Sequence, residues 1–139
     1  MRFREGDRLD YDASEVRRAA DFLSQAVGMR PRVAVALGSG LSQYSEQVEN
    51  RTTVPFGDVP GFPDSTVPGH PGKLVFGKRA GVPVVVQSGR FHVYEGIPAS
   101  RVAFPVRVLH ALGVETYLVT NASGALGSHL RPGDLVIIE

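Results

Sequence analysis

Residues 33–40 of this chain read VAVALGSG, and they decide its fold. Five apolar residues bounded by Pro31 and Gly38 are too few for a helix and favour a short strand covered on both faces. Such a strand belongs in the interior of a sheet. Gly38, Ser39 and Gly40 then leave the backbone N–H groups open to a ligand, since glycine has no Cβ in the way. The triplet matches neither the P-loop nor the dinucleotide fingerprint, so a plain tight turn is the alternative.

Two helices are predicted, one before and one after this strand. Between Asp12 and Gly28 apolar residues recur at helical spacing, and Asp12 followed by Glu15 resembles a capping box. Gly28 suits the left-handed position that ends a helix. The second helix spans Pro98 to Gly113, where Pro105 predicts a bend or a late start.

Short apolar runs between turn residues predict further strands. They are Lys73–Gly77 and Val82–Gln87, which form a hairpin, then Thr116–Thr120 and Leu135–Ile138. A weaker helical pattern runs from Leu41 to Val48. Between Val54 and Gly72, five prolines and four glycines indicate an ordered loop, which apolar side chains anchor: Phe56, Val59, Phe62 and Val67. Helices that alternate with strands favour an α/β fold with a mostly parallel or mixed sheet.

The composition fits one folded domain and excludes several functions. A length of 139 residues predicts a single domain over residues 1–139. With 15 Lys and Arg against 14 Asp and Glu, no overall field attracts nucleic acid or a membrane. The lack of cysteine excludes disulfides and thiolate chemistry. A charged start without a long apolar run predicts a soluble, cytoplasmic protein. The 16 glycines and 10 prolines together make up about 19% of the 139 residues, whereas ~12% is usual. This excess indicates many turns.

Three predicted strands end in small or polar residues, which marks a candidate site. The sequences that follow them are GSG at 38–40, SGRFH at 88–92 and NASG at 121–124. If these strands are parallel in one sheet, the three loops meet at its carboxyl edge, where α/β proteins bind ligands. Arg90 and His92 can then point the same way and offer a guanidinium fork and an imidazole to one anion.

Each of these residues also has a simpler interpretation. Arg90 can form a surface ion pair, and His92 can be an ordinary packed or exposed histidine. Tyr94 continues the series with an aromatic face that suits a sugar, or it packs in the core. Residues 121–124 can form a simple turn.

The other histidines carry weaker signals. His70 lies in a proline-stiffened loop, where a ligand or gating role competes with simple solvation. His110 and His129 have no partner at metal-ligand spacing, so no metal site is predicted. The sequence has no Gly-x-Ser-x-Gly elbow and no paired carboxylates at a strand end, so covalent catalysis is not expected.

The ordered motifs closely resemble the N-terminal half of the trimeric, low-molecular-mass purine nucleoside phosphorylases. They are VALGSGL, STVPGHPGKLVFG, SGRFHVYEG, VAFPVRVLHALGV, TNASGAL and PGDLVII. The relative that cleaves methylthioadenosine shares much of this pattern. The resemblance implies a three-layer αβα sandwich with a mixed central sheet, truncated in this chain.

Site roles also follow from the resemblance. It implies a phosphate site formed by Ser39, Arg90, His92, the backbone at Ala122, and His70 near the entrance. Arg90 and His92 would be the catalytic residues. Tyr94 would contact the ribose, and Asn121 with Ala122 would form the floor of the nucleoside pocket. These three residues make up the implied nucleoside site.

The implied reaction is reversible phosphorolysis of purine (deoxy)nucleosides, with inorganic phosphate as co-substrate and no cofactor. The family assembles as homotrimers, and its purine is held by a carboxylate and an asparagine in the C-terminal half, beyond Glu139. We therefore expect an enzyme fragment that is inactive alone, with a non-catalytic binding module or a methylthioadenosine phosphorylase as alternatives. Ala125 replaces a glycine usual in the family, which affects the loop and the subclass.

Overall fold

The computed structural model describes residues 11–63 and 72–138 of the chain. Within these ranges two helices, five strands and three short 3₁₀ helices follow one another. The helices are α1 (Ala13–Val27) and α2 (Ala99–Leu112), and the 3₁₀ helices are Ser42–Gln47, Phe56–Asp58 and Val93–Glu95. The strands are β1 (Val33–Leu37), β2 (Glu49–Pro55), β3 (Lys73–Arg79), β4 (Val82–Ser88) and β5 (Thr116–Val119).

The five strands form one mixed sheet in the order β2-β3-β4-β1-β5. β1 runs parallel to both of its neighbours, with Ala36 opposite Gln87 of β4 and Val119 of β5. β3 pairs antiparallel with β2 and β4, which confirms the predicted hairpin. The α/β class and the mixed sheet are therefore confirmed. So is the expectation that three loop-bearing strands end at one edge.

Local capping explains where the helices begin and end. The Asp12 carboxylate accepts hydrogen bonds from the backbone N–H groups of Ser14 at 2.7 Å and Glu15 at 2.9 Å. These bonds, with the Ser14 hydroxyl, hold the pKa of Asp12 below its ordinary value. Gly28 ends α1 with φ of 60°. The predicted late start of α2 is wrong, because the helix begins at Ala99 and contains Pro105 in its interior.

Two apolar clusters cover the two faces of the sheet. On one face α1 and α2 pack together, and Leu23, Phe104 and Leu109 are fully buried. That cluster includes the inward side chains of Ala34 and Val85. The opposite face carries the second cluster, to which Val48 belongs and against which Tyr44 of the first 3₁₀ helix packs. Its other buried members are Leu37, Val75, Val84 and Val86. Each large buried side chain contributes on the order of 1.5–3 kcal/mol.

Two local features differ from the predictions. The helical pattern from Leu41 to Val48 forms the 3₁₀ helix Ser42–Gln47, but strand β2, which was not expected, follows it. β2 escapes a pattern search because only Val54 is buried in this edge strand. Leu135–Ile138 is not a strand, since no described strand pairs with it, and its side chains are 64–99% exposed.

Neither α-helix in the described ranges is both long and apolar enough to cross a membrane.

Candidate functional site

A cleft of about 500 Å³ opens at the carboxyl ends of β1 and β4. Most of its polar and glycine lining comes from the loops at 38–40 and 88–92, and its apolar lining from Leu37, Phe56 and Phe91. The polar and glycine residues are Gly38, Ser39, Gly40, Ser42, Gly72, Ser88, Gly89, Arg90, His92, Tyr94 and Glu95. Four of the predicted site residues, Ser39, Arg90, His92 and Tyr94, therefore lie on one surface.

The Gly-Ser-Gly loop is held against the end of β5 by Thr120. The Thr120 hydroxyl donates to the Ala36 carbonyl at 3.0 Å and accepts from the Gly38 N–H at 2.9 Å. A Cβ on Gly38 would lie 2.6 Å from the Thr120 carbonyl oxygen and 2.7 Å from Asn121 Cα. Only glycine fits this close approach, so the loop is seated directly on β5 and presents Ser39 to the cleft.

Arg90 reaches the cleft from a turn that buried aromatic rings anchor. Gly89 takes φ of 109°, which favours glycine, and turns the chain after β4. Phe91 packs against Phe56 at a ring-centroid distance of 5.0 Å and against Phe62 at 6.2 Å. With Phe91 pointing inward, its neighbours Arg90 and His92 line the cleft.

The guanidinium of Arg90 is fixed on one side and open on the other. Its Nη1 donates to the Thr120 carbonyl oxygen at 3.1 Å. Among the described residues Arg90 makes no ion pair. A guanidinium carries further N–H donors in a planar fork, and such a fork suits bidentate binding of an oxyanion.

His92 is oriented by a carboxylate three residues later. Its Nδ1 lies 2.6 Å from Glu95 Oε1. Because a carboxylate can only accept, Nδ1 carries the proton of this bond, and Nε2 is the atom available to a ligand. Nε2 donates when the ring is protonated and accepts when the ring is neutral.

Tyr94 extends the site outward. Its ring stacks on that of His92 with centroids 4.6 Å apart and planes 16° from parallel. The side chain is 83% exposed, so core packing, the simpler interpretation of Tyr94, is wrong. An exposed aromatic face beside polar groups suits a sugar ring.

The structure does not bring Asn121 or Ala122 into the cleft. Asn121 and Ala122 are exposed and absent from its lining, and the Asn121 side chain accepts a hydrogen bond from the Ser123 hydroxyl at 2.6 Å. His70 lies outside the described residues. Within the described ranges no three His, Asp or Glu side chains gather where a metal ion could bind.

Sequence reasoning missed three contributors to this site. Glu95 orients His92, and the i, i+3 spacing of the two residues was the available signal. The sequence pattern predicts Thr120 only as the end of a strand. It predicts Gln87 as part of an apolar strand, but Gln87 is 4% exposed, and buried amides are generally hydrogen-bonded.

Comparison with known proteins agrees with this architecture. The model of the phosphorylase superfamily matches residues 32–139. Purine nucleoside phosphorylase 1 of Geobacillus stearothermophilus is 47% identical over 124 residues, which are 89% of this chain and 45% of that protein. Purine nucleoside phosphorylase of Bos taurus is 44% identical over 129 residues, 93% of this chain and 45% of that protein.

A solved structure gives the same match in three dimensions. The crystal structure of purine nucleoside phosphorylase from Schistosoma mansoni in complex with inosine superposes with a TM-score of 0.81 and 37% identity. The match covers 88% of this chain and 43% of that one. This chain thus spans less than half the length of the relatives it matches. With its fold and most of its length matched, the chain belongs to the phosphorylase superfamily.

Proposed function

We propose that this chain supplies the phosphate and ribose sites of a purine nucleoside phosphorylase, which cleaves purine (deoxy)nucleosides reversibly with inorganic phosphate. The observation that carries the proposal is the convergence of Ser39, Arg90, His92 and Tyr94 on one cleft at the carboxyl edge of the parallel strands. The similarity to purine nucleoside phosphorylases, one of them solved with inosine, supports the substrate class.

In this proposal phosphate binds between the Gly-Ser-Gly loop and Arg90. The guanidinium offsets one of the two charges of the dianion with two parallel hydrogen bonds, and the Ser39 hydroxyl adds a further donor. His92 contacts a phosphate oxygen through Nε2, because Nδ1 is engaged by Glu95. A neutral His92 would accept the O–H of monohydrogen phosphate, whereas a protonated His92 would donate to it.

The chemistry then requires positioning rather than a protein nucleophile. A phosphate oxygen forms a bond to the anomeric carbon while the bond from that carbon to the purine nitrogen breaks and its electron pair leaves with the base. The transition state places positive charge on the ribose, which the dianion directly below it stabilises. Tyr94, whose ring stacks on that of His92, would cover the sugar.

The full arrangement includes parts that rest on the relatives. We propose that Asn121, Ala122 and His70 complete the site, that the active form is a cytoplasmic homotrimer without cofactor, and that residues 1–139 form a single folded unit. Since this chain spans about 45% of the bacterial and bovine relatives, we expect the purine to be held by residues outside this sequence.

Titration calorimetry with inorganic phosphate tests the proposal. We expect the 139-residue chain to bind phosphate in the cleft and to leave inosine uncleaved in a phosphorolysis assay. A chain that binds no phosphate contradicts the proposed site. Cleavage of inosine by this chain contradicts the expectation that the purine site lies elsewhere, and binding without any role in catalysis in the complete enzyme favours the non-catalytic alternative.

A further inference from the structure

Behind the Arg90 turn lies a buried polar bridge that the mechanism above does not use. Gln87 Oε1 lies 2.8 Å from the Tyr117 hydroxyl, and Gln87 Nε2 donates to the Gly89 carbonyl at 3.1 Å. Gln87 belongs to β4 and Tyr117 to β5, and these strands are not neighbours because β1 runs between them. The bridge therefore crosses the central strand.

Small side chains on β1 leave room for this crossing. Ala36 lies opposite Gln87, and Ala34 lies opposite Tyr117, so all four side chains share one face of the sheet. Both alanines are buried, at 0% and 1% exposure. A second cleft of about 300 Å³ on this face is lined by Ala36, Gln87 and Tyr117 together with Arg90.

The hydrogen-bond donors and acceptors of the bridge can be assigned in only one way. The Gly89 carbonyl can only accept, so the amide of Gln87 must turn its NH₂ group toward it. The amide oxygen then faces Tyr117, whose hydroxyl must donate. Burial raises the pKa of Tyr117, which keeps that hydroxyl protonated.

The accepting carbonyl belongs to the peptide group that joins Gly89 to Arg90. Gly89 has φ of 109° and no side chain of its own to limit the orientation of this peptide. The far end of the Arg90 side chain is tied to the Thr120 carbonyl at 3.1 Å. The bridge thus restrains the main chain of Arg90, while the hydrogen bond to the Thr120 carbonyl restrains its guanidinium.

We propose that Gln87 and Tyr117 are positioning residues that fix the Gly89–Arg90 peptide and thereby hold Arg90 in its anion-binding orientation. This role rests on the proposed phosphate site for its functional meaning. Neither side chain touches the phosphate cleft surface formed by Ser39 and His92, so both act through Arg90.

The test measures phosphate affinity by calorimetry in three single variants of the full chain and in the double variant of Gln87→Met and Tyr117→Phe. Tyr117→Phe removes one hydrogen bond of the bridge, and Gln87→Met removes both at similar length. Tyr11→Phe is the matched control, because the buried Tyr11 hydroxyl has no hydrogen-bond partner among the described residues and belongs to the α1–α2 side of the core. Thermal melts verify that each variant is folded.

We expect phosphate affinity to fall about fivefold to tenfold in Tyr117→Phe and in Gln87→Met, and to stay unchanged in Tyr11→Phe. The double variant should lose little more than Gln87→Met alone, because the two residues act as one unit. Unchanged affinity in folded Tyr117→Phe and Gln87→Met, or fully additive losses, would overturn the proposal.

A second measurement separates this role from the proposed function. In proton–nitrogen NMR spectra of the unliganded chain, the backbone and guanidinium signals of Arg90 should shift or broaden in Tyr117→Phe and Gln87→Met but not in Tyr11→Phe. A wild-type chain that binds no phosphate contradicts the proposed function, and these signals then decide the positioning role alone. Arg90 signals identical to wild type in both bridge variants refute it.

Discussion

Two segments leave the same edge of the sheet and differ in what holds them. Residues 89–95 follow β4 and are anchored by Phe91, which is 5% exposed within an aromatic cluster. Residues 121–127 follow β5, and the side chains from Asn121 to Leu126 are exposed. Both segments start at the carboxyl end of a strand parallel to β1. Strand order therefore brings both loops to the same edge of the sheet, but only the first loop has a buried side chain that anchors it.

The largest effect should come from removing that anchor. Phe91→Ala leaves a cavity beside Phe56 and Phe62 and should lower the free energy of unfolding by about 3–5 kcal/mol. Leu126→Ala in the second segment is the control, since Leu126 is fully exposed and its loss should change stability by less than about 0.5 kcal/mol. Urea unfolding compares the two variants, and equal losses would contradict the contrast between the segments.

The functional contrast is tested by Arg90 of the first segment and by Arg131, which lies just beyond the second. Arg90→Ala removes the charged fork of the proposed phosphate site, and we expect phosphate affinity to fall about 10²-fold, near the upper limit for a charge-assisted hydrogen bond. Arg131→Ala removes the same charge from an exposed position after the second loop. Calorimetry should show near wild-type binding in the control, and a similar loss in both variants would mean that only net charge matters.

Two glycine-to-alanine substitutions test how tightly the backbone is packed in two loops. Gly38→Ala places a methyl group 2.6 Å from the Thr120 carbonyl oxygen, and we expect a loss of about 1–3 kcal/mol in the free energy of unfolding. Gly124→Ala meets no described atom within 4 Å. Its stability should remain within about 0.5 kcal/mol of wild type. A tolerated Gly38→Ala would show that the loop does not rest on β5 as tightly as the structure has it.

The smallest effect is expected at the opposite, amino end of β1 and β5. Glu115 accepts hydrogen bonds from Arg32 Nε at 3.2 Å and Nη2 at 2.8 Å, and both side chains are well exposed. Arg32 lowers the pKa of Glu115 below its ordinary value of 4.5. A lowered pKa stabilises the fold above that value, and this contribution is lost as the pH falls through the folded-state pKa.

Glu115→Gln should therefore lower Tm slightly at pH 7, and by progressively less as the pH falls below 4.5, in matched thermal scans. Glu49→Gln, an exposed carboxylate on edge strand β2, is the control and should show no such pH-dependent difference. A Glu115→Gln difference as large at pH 3 as at pH 7 would mean that the ion pair is not its source.

Much of the fold was accessible from the sequence because its signals are local. The all-apolar run of β1, the caps at Asp12 and Gly28, and the hairpin between β3 and β4 each show in a few adjacent residues. Strand β2 did not, because an edge strand with one buried residue has no alternation to detect. The apolar run at Leu135–Ile138 has strand composition, but a strand also requires a partner, which composition does not supply.

The sequence predicts those site residues that lie close to the end of a strand. Arg90, His92 and Ser39 stood out because each follows a strand directly. Gln87 and Tyr117 did not, since their contact joins positions 30 residues apart across a strand that belongs to neither. Contacts of that kind depend on the order of the strands in the sheet. The alternation of helices and strands along the sequence indicates an α/β fold but does not give that order.

The alanines of β1 have a consequence for how this sequence can change. A larger side chain at Ala36 would occupy the space through which Gln87 and Tyr117 meet, so its effect depends on whether that bridge is present. Positions 36, 87 and 117 should therefore behave epistatically, with Ala36→Val disruptive in the wild type and better tolerated once Tyr117 is shortened. The smallest side chains of the sheet would then set which polar residues its neighbours can carry.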